Sequence, residues 1–398
     1  MKNKIERAAI AGLALLAMNA LPAPACTNLG SFESWLSQFR REAKSQGISA
    51  SALSALDQAA FDQNVIDSDR RQSVFSQSFL EFSDRMAAKY RIQQGNALIA
   101  KHKPIFDRIE KEFGVPAPVI VAFWGLETDF GSNNGKLSTI RSLATLAYDC
   151  RRPDKFRAEL FDALRIIEKG DLRPDEMRGP WAGEIGQTQF VPSIYYKYAV
   201  DYDGDGKRDL IHSVPDVLAS TANYLKGLGW QRGEPWLKEV RVPEEMDWSE
   251  ADLTVDHPAS EWARKGVKFP DGSSPRENIP ASLLLPMGRN GPAFLAYRNF
   301  KVYLEWNQSL VYSTTAAYLA TRIAGAPAVS RGRGVVAFGV EETKQLQQLL
   351  QARGYEIGEI DGKLGLLTRA SIKKAQVKLG LPADSYPSSE LLHSLQSR

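Results

Sequence analysis

Apolar residues recur at three- and four-residue spacing from the start of the globular chain. Phe32, Trp35, Leu36 and Phe39 form one stripe, and Phe75, Phe79, Phe82 and Met86 form another. This spacing predicts amphipathic helices through to Phe113, with the aromatics as core and not as a ligand platform. A third stripe, Phe156, Leu160, Leu164 and Ile167, predicts a helix over 156–169 that ends before Gly170. One stretch breaks the amphipathic rule. From Val119 to Leu126 there is no charged residue, so the helix opened by Pro116 and Pro118 has no wet face and is expected to be buried. Ser213 is placed to cap a helix with Pro215 and Asp216 in its first turn, running to about Lys226 and presenting Tyr224. Beyond residue 230 Pro and Gly become frequent, and Lys301 to Glu305, with Val302, Tyr303 and Leu304, reads as a short β-like run, which predicts a small mixed lobe. Helix returns over Ser313–Ile323. The fold class is mainly α (α+β).

Ala324 to Gly339 reads as a linker, because Gly325, Pro327, Gly332 and Gly334 alternate with small and basic residues. Glu341 to Leu395 is then a separate small unit of three helices. Leu346, Leu349 and Leu350 mark the first, Thr368 is expected to cap the second through Leu379, and Pro387 to open the third with Leu391, Leu392 and Leu395.

Charge and cysteine usage add a compartment. Lys2, Lys4 and Arg7, an apolar run from Ala8 to Leu21, and Ala23-Pro24-Ala25 form a secretory signal over 1–25. Export to the periplasm is the expectation. The segment carries three basic residues and one acid, so its removal takes the net charge from +3 to +1. A near-neutral chain argues against nucleic acid or an anionic membrane as partner. The only two cysteines are Cys26 and Cys150. An oxidising compartment favours a disulfide between them; a lipid anchor on Cys26, directly after the cleavage site, is the competing reading, although Ala23 stands where a lipoprotein signal usually has Leu.

Three stretches carry chemistry. Glu127 follows the buried helix and precedes the loop of Asp129, Gly131, Ser132, Asn133, Asn134 and Gly135. Desolvation beside Phe123 and Trp124 would raise its pKa, as a general acid requires; a local cap or ion pair is the alternative. Gly179 to Ser193 is a tight loop in which Gln187 and Gln189 offer amide donors and acceptors. Asp201, Asp203 and Asp205, with Gly206 and the Lys207 carbonyl, reproduce the first half of an EF-hand-like loop, but position twelve is His212 in place of a bidentate Glu. A structural Ca2+ and a solvated acidic turn are the two readings.

Several motifs in order resemble the membrane-bound lytic murein transglycosylase B family. They are Trp124-Gly125-Leu126-Glu127-Thr128-Asp129-Phe130-Gly131, Trp181-Ala182-Gly183 to Gln189-Phe190-Val191-Pro192-Ser193, the Asp-rich turn, Leu284-Leu285-Pro286, Gly291-Pro292-Ala293-Phe294, and Trp306-Asn307-Gln308-Ser309 followed by Tyr312. The resemblance implies a lysozyme-like α-rich catalytic domain over 31–325, a linker over 326–340, and over 341–396 a unit similar to three-helix peptidoglycan-binding domains, with Leu364 and Ala375 where phenylalanines are usual. It implies cleavage of the β-1,4 bond between N-acetylmuramic acid and N-acetylglucosamine without water. Glu127 would protonate the glycosidic oxygen and then accept the proton of the sugar's own C6 hydroxyl, closing a 1,6-anhydro ring. Gln189, Tyr224, Trp306, Asn307 and Tyr312 match substrate-cleft positions, and Asp216 matches an aspartate that completes the calcium loop. Trp306 stands where a tyrosine is often found and Pro180 where a serine is. Asp129 reads as structural. No cofactor is required for catalysis; the partners implied are glycan strands and other cell-wall enzymes, and the protein itself is expected to be a monomer. The alternatives are a hydrolytic muramidase and a non-catalytic wall-binding or scaffolding protein that keeps the fold; for the C-terminal unit taken alone, the alternative to wall binding is a structural cap.

Overall fold

The computed structural model describes residues 30–70, 77–335 and 337–397. The predicted aromatic stripes pack as core. Phe32, Trp35 and Phe39 are buried on the helix Phe32–Ser45, which starts where the Ser31 side chain accepts from the Ser34 amide. Phe79 and Phe82 are buried on the helix Phe79–Met86, whose capping box joins Ser78 and Glu81; Phe75 lies outside the described residues. The uncharged stretch is the helix Ala117–Thr128, in which ten of twelve residues are buried. It packs against the helices Lys89–Lys101 and Leu310–Ile323. A Cβ on Gly95 would come within 3.0 Å of Val121 Cγ1, so the helix crossing depends on a glycine.

The mixed lobe is a four-stranded antiparallel sheet in the order Leu237–Val240, Ala293–Tyr297, Pro280–Leu284, His257–Pro258. All five residues of Ala293–Tyr297 are buried. Phe294 and Ala296 face the large helical core, while Ala293, Leu295 and Tyr297 face a second core built on Trp248 and Trp262. A strand covered on both faces shows no alternation. The β-like run expected over Lys301–Glu305 is instead part of the helix Arg298–Trp306. Its β-formers mislead because Asn299, Phe300, Val302 and Tyr303 are buried together on one helical face, so the period is that of a helix.

The C-terminal unit consists of the helices Val340–Ala352, Leu366–Leu379 and Ser389–Gln396 around Leu346, Leu350, Ile372, Ala375 and Leu391. Two expected starts shift. The second helix begins after Gly365, and Thr368 lies buried inside it, its Oγ1 donating to Ile357 O at 3.3 Å. The third is capped by Ser388, whose side chain accepts from the Leu391 amide, with Pro387 just ahead of the cap. This unit packs against the sheet side of the larger one. Arg369 donates to the carbonyls of Leu285 at 2.6 Å and Pro286 at 3.2 Å, Lys373 pairs with Asp252 at 2.8 Å, and the Arg289 amide donates to Asp384 at 3.0 Å. Tyr386 joins the large core. The connection is strapped down as well: the Ser330 amide donates to Glu239 at 2.7 Å, the Arg333 amide to Asn290 O at 2.6 Å, and Arg331 pairs with Asp84 at 3.0 Å. No helix among the described residues is long and apolar enough to cross a membrane.

Candidate active site

The buried helix brings Glu127 to its last turn, where the negative end of the helix dipole already disfavours a carboxylate. The helix ends at Asp129, in the left-handed region at φ +53°. Its carboxylate is held by Arg91 Nε at 3.2 Å and Tyr90 OH at 3.3 Å, which gives this acid the structural role expected of it.

Glu127 itself is half-buried, and its carboxyl is desolvated. Oε1 accepts from the Tyr312 hydroxyl and, at 3.0 Å, from the indole N–H of Trp306. Burial pushes its pKa up to about 7; the hydrogen bonds from Tyr312 and Trp306 oppose that rise, and the charge of Glu184 adds to it. An acid so placed carries its proton near neutral pH and can give it up. This is the arrangement a general acid needs.

The aromatic wall beside Glu127 is built on Trp306. Its ring stacks on Phe123 at 4.2 Å, meets Tyr224 at 5.2 Å and Phe190 at 5.7 Å. The sequence suggested that Trp306 keeps a stacking surface and loses a hydroxyl; the indole N–H, reaching Glu127 across the fold, was not foreseen. Tyr224 is half-buried and also rests on Tyr198 at 5.0 Å. Asn307 Oδ1 accepts from the Ser309 amide at 2.9 Å, tying it to the start of the Leu310–Ile323 helix.

Gln189 is a non-glycine residue at φ +54°, and its Nε2 donates to Gly186 O at 2.7 Å and Asn134 O at 3.3 Å. It thereby links the loop after Glu127 to its own loop. A two-stranded ribbon, Leu137–Ser138 with Arg178–Gly179, makes the same connection from the other side. At Gly135, φ +91°, a Cβ would lie 2.1 Å from the carbonyl carbon of Gly179, so the two loops touch backbone to backbone. Gln187 is buried between Trp124 Nε1 and Ile211 O, both at 2.8 Å, and serves as scaffold. Glu184, from the same loop, was not singled out by sequence. Burial raises its pKa, and its Oε2 is buried without a hydrogen-bond partner among the described residues.

The Asp-rich loop forms a separate cluster. Carboxylate oxygens of Asp201, Asp203 and Asp205 lie within 4.8 Å of one another. Three hard oxygen donors in that space suit Ca2+. Asp216 is fully buried behind them: Oδ1 accepts from the amides of Tyr202 at 2.7 Å and Asp203 at 3.3 Å, and Oδ2 from Asp209 at 2.9 Å. It holds the loop's backbone and stands apart from the three-carboxylate cluster. Lys207 enters the loop through its amide, which donates to Asp205 at 2.8 Å. No cysteine among the described residues is a free thiol; Cys26 and the 1–25 segment lie outside those residues.

Comparison with known proteins places this site among relatives. Residues 31–321 match the transglycosylase SLT domain family, and residues 340–395 match the putative peptidoglycan binding domain family. The membrane-bound lytic murein transglycosylase B of Escherichia coli (strain K12) is 34% identical over 158 residues, a match covering 39% of this chain and 44% of that protein. The crystal structure of SltB3 from Pseudomonas aeruginosa in complex with NAG-anhNAM-pentapeptide superposes with a TM-score of 0.85 at 40% identity, covering 92% of this chain and 99% of that one. Lytic transglycosylase SLT35 from Escherichia coli, solved in complex with calcium, gives a TM-score of 0.61 at 26% identity, covering 73% of this chain and 92% of that one.

Proposed function

Since the chain belongs to the transglycosylase SLT family, we infer that it is a lytic transglycosylase that cleaves peptidoglycan between N-acetylmuramic acid and N-acetylglucosamine and leaves a 1,6-anhydromuramic end. The observation that carries this reading is the Glu127 carboxyl, desolvated at the end of a helix whose preceding run is uncharged and, among the described residues, hydrogen-bonded by the neutral donors Tyr312 and Trp306. Its proton goes to the glycosidic oxygen as the C1–O bond breaks. The carboxylate left behind is stabilised by those same two donors. It then takes the proton of the C6 hydroxyl as that oxygen bonds to C1. One carboxyl serves both steps, whereas hydrolysis by water ordinarily uses two.

Trp306 and Tyr224 supply the ring surface for sugars, and Gln189 and Asn307 fix the loops that border them. The domain limits that go with this reading are 31–325 for catalysis and 341–396 for wall binding, after an export signal over 1–25. A Cys26–Cys150 disulfide fits an exported chain. A Ca2+ held by Asp201, Asp203, Asp205 and the Lys207 carbonyl, with Asp216 bracing the loop, would stiffen the turn leading to the Tyr224 helix and take no part in the reaction.

The test is digestion of purified peptidoglycan by the chain and by Glu127→Gln, with product masses measured. Products ending in 1,6-anhydromuramic acid, reduced at least about a thousandfold in the variant, are expected for a lone acid. Products heavier by one water would make the enzyme a muramidase. Wall binding without cleavage by either protein would make it a scaffold.

A further inference from the structure

The helix that carries Glu127 stops in a conformation that has to be held. Asp129 and Phe130 follow it at φ +53° and +61°, two successive residues with side chains in the left-handed region, which costs both of them. Two contacts steady this turn against the helical core. Arg91 takes the Asp129 carboxylate, and the Phe130 ring closes over Gly125, where a Cβ would lie 2.9 Å from its Cζ. A third contact ties the turn to a distant loop. Thr128, the residue after the acid, is buried; its hydroxyl accepts from the Gly131 amide at 2.9 Å and donates to Gln187 O at 2.5 Å, 59 residues along the chain.

Gln187 receives that bond at a junction. Its Oε1 accepts from the indole N–H of Trp124, one turn back on the acid's own helix, at 2.8 Å. Its amide donates to Leu210 O at 2.9 Å and its Nε2 to Ile211 O at 2.8 Å. Each polar atom of this buried residue is thus engaged, and Gly131 passes so near that a Cβ there would lie 2.4 Å from Oε1. Thr188 comes next, with its Oγ1 3.1 Å from Thr221 Oγ1 on the helix Val214–Gly227, one turn before Tyr224. Gln189 follows, donating to Asn134 O at 3.3 Å. Three consecutive residues therefore set the acid's helix, the Tyr224 helix and the loop after the acid in register with one another. A hydroxyl that merely ended a helix would find its partners in its own turn; Thr128 accepts from Gly131 there, but gives its proton to the junction.

We propose that Thr128 is a positioning residue of the transglycosylation: its hydroxyl fastens the last turn of the acid's helix to Gln187 and so holds the Glu127 carboxyl in register with Gln189 and Tyr224. Thr128 acts through the main chain it shares with Glu127 and not through the sugar. A drift of about 1 Å at the reacting atoms is enough to slow such a step by up to about a hundredfold. The inference rests on Glu127 being the acid.

The experiment measures kcat and KM for anhydro-product release from soluble glycan strands by the full chain and its Thr128→Val, Thr128→Ser and Trp124→Phe variants, with rates expressed per folded molecule. Thr128→Val keeps the shape and deletes the hydroxyl; its kcat should fall about tenfold or more while KM stays within about twofold of wild type. Thr128→Ser, which keeps the donor, should return kcat to within about threefold of wild type. Trp124→Phe cuts the other tie to Gln187 and should lower kcat by a smaller factor, again with KM kept. A Thr128→Val enzyme that is less stable but turns over at the wild-type kcat would make the hydroxyl structural alone and overturn the proposal. A loss carried by KM, or an equal loss in Thr128→Ser, would overturn it too. If Thr128→Val does not fold, Trp124→Phe decides: a lower kcat at constant KM supports the proposal, and an unchanged kcat sinks it. Glu127→Gln keeps the two readings apart, since activity retained there would remove Glu127 as the acid, whereas its loss beside an unchanged Thr128→Val would remove only Thr128.

Discussion

Glu127 and Arg369 are both ionisable groups enclosed by protein, and they answer burial in opposite ways. Glu127 can shed its charge: burial lifts its pKa to about 7, and its partners are a hydroxyl and an indole that serve either protonation state. Arg369 cannot. Burial pulls its pKa down from the ordinary arginine value, but a guanidinium stays charged, so it needs fixed acceptors. The carbonyls of Leu285 and Pro286 provide them, with the Tyr386 ring 5.8 Å away and Asp384 and Asp252 nearby in charge. A buried group free to change its charge is suited to chemistry, and one that is not becomes a clamp between units.

Three substitutions probe that contrast. The largest effect is expected for Arg369→Met, which strands two carbonyls and removes the clamp; about 3–5 kcal/mol of the docking energy should go, visible as a separate unfolding step of the C-terminal unit and faster protease cleavage within 324–339. Arg369→Met that unfolds like wild type would remove the clamp from the comparison. Next comes Glu127→Gln. A folded-state pKa raised from 4.5 to about 7 means stability is full below pH 4.5 and lost as pH rises through 7. The neutral variant should therefore match wild type at pH 4 and exceed it at pH 8 by up to about 3 kcal/mol in denaturant titrations. An equal difference at both pH values would contradict the assignment of a neutral acid. The smallest is Trp306→Phe, which keeps the stack on Phe123 and deletes the N–H donor. Losing a donor that favours the carboxylate should raise the Glu127 pKa further and cost about 1 kcal/mol in transition-state stabilisation, read as a roughly fivefold drop in rate with the alkaline limb moved upward.

Much of this was legible in the chain because it depended on local pattern. The buried helix before Glu127 is an uncharged run, and Ser213, Pro215 and Asp216 announce their helix within four residues. The three acids of the Asp-rich loop converge because alternating positions in a tight turn share a side. Local pattern also misled. Val302, Tyr303 and Leu304 are β-formers pressed into a helix by packing on Phe123, which stacks on Tyr303 at 5.0 Å. Thr368 resembles a cap but is buried under Gln347 and Ile357. What stayed hidden was long-range. The donors of Glu127 come from 179 and 185 residues away, and Arg369 finds its carbonyls 83 and 84 residues back, so no spacing rule could pair them. For Asp216 no spacing showed that its carboxylate accepts the amides of Tyr202 and Asp209, contacts set by the fold of the whole loop.

The strapped connection between the two units changes what a wall-binding module can contribute. On a slack tether, a second contact with the wall would be entropically taxed by the freedom the tether loses, and the reach would be broad. Here Ser330, Arg331 and Arg333 are pinned, and Arg369, Lys373 and Asp384 lock the module in one orientation. On the proposed function the pair would act as a caliper, gripping most firmly where wall and scissile bond stand at the one separation the protein has set and gaining little anywhere else.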